Sequence, residues 1–131
     1  MANRIDDLRE PLKTARNWGS GRDGVHHFIW QRVTAILIGL CALWLLGIAL
    51  TLRSASYEII HGLVADPLNA TVLILFLVSV FWHAKLGLQV VIEDYVHTPI
   101  NGVVLHLLTI LVCALAGIAS VLAVLRIALG S

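Results

Sequence analysis

The chain has 131 residues, of which 59% are hydrophobic and only 13% charged, with a formal net charge of +1 and a mean hydropathy of +0.90. Those proportions exclude an ordinary soluble domain and place the chain in a membrane. No strongly basic surface remains to suggest a nucleic-acid partner.

The first thirty or so residues are polar. Ile5, Leu8, Leu12 and Ala15 alternate with charges, and Trp18 closes the segment, a pattern suited to a helix lying among headgroups or to a docking surface for a water-soluble partner. Pro11 interrupts it. Trp18-Gly19-Ser20-Gly21 reads as a flexible link. A polar stretch this long before the first apolar run, with no small-residue cleavage pattern, does not describe a cleaved signal peptide. The acids Asp6, Asp7, Glu10 and Asp23 set it apart from a mitochondrial transit peptide, so a bacterial inner membrane is the simplest location. The expected organisation is a cytoplasmic polar arm over residues 1–24 and a membrane domain over 25–131.

Three stretches are long enough to cross ~30 Å of hydrocarbon at ~1.5 Å per residue: residues 33–52, 70–92 and 103–125. They lack period-2 alternation and are about twice the length of a barrel strand, so the expected fold is all-α with three transmembrane helices. Trp30 suits the membrane interface before the first. Asp66-Pro67 and Asn69 offer start signals for the second helix, and Asn101 for the third. Residues 53–69 read as a loop. Cys41 and Cys113 fall within spans and read as small packing residues.

Six of the nine Lys and Arg residues precede or open the first span: Arg4, Arg9, Lys13, Arg16, Arg22 and Arg32. This bias sets the amino terminus in the cytoplasm. Three crossings then return the turn at residues 93–102 to the cytoplasmic side, with Tyr95 facing it.

His83 lies near the middle of the second span. Water cannot satisfy its nitrogens there, and imidazole is the commonest protein ligand to a metal, so the residue is either a ligand or a histidine hydrogen-bonded to a neighbouring helix. At ~100° per residue, His83, Gly87, Val90 and Asp94 form one stripe, with Asp94 about 16 Å beyond His83. Gly87, one turn away, would leave room for a flat macrocycle or for a helix contact; Gly47 and Gly117 read as helix contacts. No second histidine follows His83 at i+4 or i+7, and His106, in the third span, is too shallow to face it. Any haem here would draw its other ligand from a partner chain. Lys85, roughly opposite this stripe, is a charge near mid-helix that needs relief by snorkelling or pairing and reads as a packing or assembly feature.

Gly24-Val25-His26, Phe28-Ile29, Arg32, Thr34-Ala35, His83-Ala84, Gly87, Gln89-Val90 and Asp94-Tyr95 occur in an order that resembles the hydrophobic membrane anchor of succinate dehydrogenase, the cytochrome b-type anchor of respiratory complex II. The resemblance implies a bundle of three helices packed with a second, sister anchor, which supplies the opposite haem ligand. It implies His83 as the axial ligand to the iron of haem b, with Arg32, His26 and Gly87 in the haem environment. It implies Tyr95 hydrogen-bonding a ubiquinone carbonyl, with Asp94 as its acidic neighbour. FAD and iron-sulfur clusters would belong to separate flavoprotein and iron-sulfur subunits on the cytoplasmic side, and this chain would carry no succinate chemistry. Arg32 and His26 could form a joint polar cluster, although Arg32 would also serve as an interfacial anchor; His27, His61 and His97 read as solvated or interfacial. Two alternatives stand beside this reading: the anchor of a quinol:fumarate reductase, and a haem-free membrane scaffold or transport protein in which His83 and Lys85 line a path.

Overall fold

The computed structural model describes residues 22–52 and 54–130, and among them four helices and no strand. They are α1 (Arg22–Thr51), α2 (Tyr57–Ala65), α3 (Pro67–Tyr95) and α4 (Pro99–Ala128). The amino-terminal arm, including Pro11 and the Trp18–Gly21 link, lies outside the described residues. The chain divides into two compact units, one ending at Trp30 and one beginning at Gln31.

Three helices are long and apolar enough to cross a bilayer: residues Gly24–Thr51, Pro67–Tyr95 and Pro99–Ala128. Each helix reaches beyond the apolar core expected from the sequence. Arg32, Glu93 and Asp94 lower hydropathy without removing a backbone donor, so the hydrogen-bond ladder continues through them into the interfacial region.

The third helix starts at Pro99, two residues before the expected Asn101. Proline at this first position loses no intrahelical bond, and Thr98 precedes it in extended conformation. The far end closes at Gly130, whose φ of 70° is the left-handed region that glycine enters without a Cβ penalty.

The segment read as a loop contains α2. Its apolar residues Ile59, Ile60, Leu63 and Val64 recur at helical spacing, but nine residues are too few to register as a span. Ile60, Leu63 and Val64 pack toward Leu45, Ile48 and Leu73, around a small apolar cavity of about 70 Å³. Asp66 joins α2 to α3. Its backbone N–H donates to the Gly62 carbonyl, closing α2, while its carboxylate accepts from the Leu68 and Asn69 amides at 3.1 Å each, opening α3.

Within the second unit, Thr34 of α1 meets His83 of α3, and Trp44 donates its indole N–H to Asn69 Oδ1 at 3.2 Å. The pairing runs in opposite directions along the two helices, which are therefore antiparallel. Helix α4 packs on α3 where Gly117 lies against Phe81; a Cβ at 117 would stand 3.4 Å from Phe81 Cδ2. Gly117 is thus a helix contact, as expected. At Gly47 a Cβ would meet nothing of this chain within 4 Å.

Few side chains are buried: Cys41, Ala70, Leu86 and Val124, together with the polar Thr34 and Ser79. Large apolar residues such as Leu40, Leu43 and Leu107 are exposed. In a membrane the outward faces meet acyl chains or other helices, so the inner contacts fall to small residues that let the backbones approach.

Candidate functional site: the mid-span histidine

His83 is half-buried on α3 and engages α1 through both ring nitrogens. Its Nδ1 lies 3.0 Å from Thr34 Oγ1, and its Nε2 lies 3.4 Å from Gln31 Nε2. Thr34 also donates its hydroxyl proton to the Gln31 backbone carbonyl at 3.2 Å. The donor and acceptor roles at the two ring nitrogens depend on the imidazole tautomer.

Gln31 and Thr34 are one turn apart on the same face of α1, so the two groups reach one ring together. In the sequence Thr34 stood out only as part of a motif, and Gln31 had no assigned role. The available signal was this pair of polar residues at i, i+3 on the span that packs beside His83; their separation from it by about fifty residues carried no register.

Of the two roles open to His83 in the sequence, hydrogen bonding to a neighbouring helix is the one seen here, and the same arrangement is compatible with a metal ligand. A ligating histidine characteristically donates its second N–H to an oxygen, fixing tautomer and ring plane. Gln31 Oε1 is shielded from solvent and has no hydrogen-bond partner. A Cβ at Gly87 would meet only the movable Gln31 Nε2, at 3.9 Å. The residues present therefore fit an axially ligated haem. Among the described residues no group of three or more His, Cys, Asp or Glu gathers.

Tyr95 and Asp94 lie at the carboxyl end of the same helix, twelve and eleven residues beyond His83, or about 18 and 16 Å along the axis. Tyr95 is 79% exposed. Val96 caps the helix by donating to the Ile92 carbonyl, and Gln89 donates to Glu93 Oε1 at 2.9 Å.

Arg32 is exposed on α1, next to Gln31. In the first unit, His26 accepts from the Trp30 indole N–H at 3.3 Å, with ring centroids 6.0 Å apart. His27 Nε2 is shielded and finds no hydrogen-bond partner, so of the two expected settings the ring is not a fully solvated one. His61 stacks beside Tyr57, His97 is exposed, and His106 is half-buried in the first turns of α4.

Lys85 lines a groove of about 440 Å³ between α3 and α4, with Phe81, Trp82, Cys113 and Gly117 among its walls. Its ammonium lies 5.6 Å from the centroid of the Trp82 ring. Cation–π contact supplies part of the relief that a charge at this depth requires.

Three apolar crossings and antiparallel helix packing define a multi-pass helical membrane protein. Residues 6–123 match the family of succinate dehydrogenase/fumarate reductase transmembrane subunits, and the chain belongs to that family. Among its relatives, the succinate dehydrogenase hydrophobic membrane anchor subunit of Rickettsia bellii is 41% identical over 90 residues, covering 69% of this chain and 72% of the relative. The protein of the same name from Rickettsia typhi is 29% identical over 120 residues, covering 92% and 96%. That of Coxiella burnetii is 29% identical over 77 residues, covering 59% and 67%.

Proposed function

We propose that this chain is the membrane anchor of a succinate:quinone oxidoreductase in a bacterial inner membrane, with its amino terminus in the cytoplasm. It packs with a sister anchor, and together they hold the flavoprotein and iron-sulfur subunits at the cytoplasmic face, where the polar arm of residues 1–24 is available for docking. The names of the relatives favour succinate oxidation over fumarate reduction.

The observation that carries the reading is the mid-span His83 ring, whose Nδ1 lies 3.0 Å from Thr34 Oγ1 and whose Nε2 has the Gln31 side-chain amide at 3.4 Å. His83 serves as one axial ligand to a haem b, and the sister anchor gives the other. Gly87 leaves space beside the ring, and Arg32 and His26 offer cationic or hydrogen-bonding groups to propionates. When bound, the haem supplies a reversible one-electron redox centre within the bundle.

Quinone reduction is assigned to the other end of α3. Tyr95 donates its phenolic hydrogen to a ubiquinone carbonyl and stabilises charge developing on that oxygen, and Asp94 orders neighbouring polar groups or relays protons. The electrons come from the iron-sulfur protein of the complex. The test is Tyr95→Phe in the assembled complex. Loss of a hydrogen bond to a charged acceptor, ~1.5–3 kcal/mol, lowers succinate-dependent quinone reduction by roughly ten- to a hundredfold, while succinate oxidation with an artificial acceptor is unchanged. Equal loss of both activities, or of neither, contradicts the assignment.

A further inference from the structure

We propose that Thr34 is a positioning residue for the histidine site: its hydroxyl oxygen accepts the His83 Nδ1 proton, fixing the tautomer and ring plane that present Nε2 to iron. The proposal rests on the reading of His83 as a haem ligand.

Three features support it. The Thr34 Oγ1 to His83 Nδ1 separation is 3.0 Å, and Thr34 is only 4% exposed, so solvent offers no substitute acceptor. The hydroxyl donates to the Gln31 carbonyl of its own helix at 3.2 Å, which leaves oxygen lone pairs for the ring. A hydroxyl accepting there selects the Nδ1–H form over the Nε2–H form, which could not bind metal through Nε2. Gln31 Nε2 lies 3.4 Å from His83 Nε2.

Accepting the Nδ1 proton would also strengthen Nε2 as an electron-pair donor, and a bound haem iron would feel that in its potential. Thr34 therefore influences both the retention and the potential of the haem while touching neither the iron nor the quinone.

The experiment uses the purified complex with Thr34→Val, which replaces the hydroxyl by a methyl, and Thr34→Ser, which restores it. Haem retention against apomyoglobin and the midpoint potential of the b-type band are measured together. Thr34→Val is expected to weaken retention about 10- to 100-fold and to shift the potential, and Thr34→Ser to restore both toward wild type. Wild-type retention and potential in Thr34→Val, or a serine variant as defective as valine, overturns the proposal. Should Thr34→Val fail to assemble, nitrogen NMR of His83 in the haem-depleted wild-type complex decides: a proton on Nδ1 supports the role and a proton on Nε2 overturns it. His83→Ala measured alongside separates the two layers. Loss of its band with an unperturbed Thr34→Val removes Thr34 alone, whereas a band that survives His83→Ala removes the haem reading and the proposal with it.

Discussion

Replacing Lys85 by leucine is expected to improve insertion of α3. Lys85 stands ten residues before Tyr95, about 15 Å along the helix axis, too deep for its stem to bring the ammonium fully to the interface. No carboxylate among the described residues forms an ion pair with it, and its ammonium faces the Trp82 ring at 5.6 Å. A lysine at helix centre costs ~2.5–3.5 kcal/mol of insertion free energy and a leucine contributes ~0.3–0.6 in the other direction, so the exchange is worth roughly 3–4 kcal/mol. The cation–π contact, ~0.5–2 kcal/mol, offsets part of this, leaving about 1–3 kcal/mol, or roughly 5- to 150-fold in the inserted-to-uninserted ratio. A carboxyl-terminal reporter measures it, because a chain that skips α3 places its carboxyl terminus on the opposite side. A double-mutant cycle with Trp82→Ala then isolates the ring contact from the apolar area that Trp82 itself supplies. No gain in Lys85→Leu, or zero coupling between the two positions, refutes the reasoning.

Gly87→Leu is expected to leave assembly intact and deplete haem, since a Cβ at this position meets only the side-chain amide of Gln31; parallel loss of assembly and haem would instead make Gly87 a helix contact. Asp66→Ala should destabilise the chain by about 1 kcal/mol through loss of the Leu68 and Asn69 cap bonds, with Asp66→Asn retaining most of the stability, read as the unfolding midpoint in detergent. An unchanged midpoint in Asp66→Ala would contradict the capping role.

The three crossings were legible because apolar runs of twenty or more residues admit one solution in a bilayer. Asp66-Pro67 marked the start of α3 because an acidic cap followed by proline is a local signal. The helix ends were less legible, since Arg32, Glu93 and Asp94 look like boundaries in hydropathy yet stay within continuous backbone ladders. α2 was missed because nine residues with four apolar positions resemble a loop when spans are being sought. His83 stood out by its depth as a ring in need of a hydrogen-bond partner. Its partners Thr34 and Gln31 were not, because which face of α1 meets α3 is set by packing between helices. Gly47 and Gly117 make the same point, with similar apolar surroundings in the sequence and only Gly117 placed against a neighbour.

The reduced-minus-oxidised visible spectrum of the complex carrying His83→Ala, compared with wild type, tests the central claim most directly. A b-type band that is lost or shifted in the variant is the predicted result and identifies His83 as the axial ligand. A band unchanged in position and intensity would contradict it.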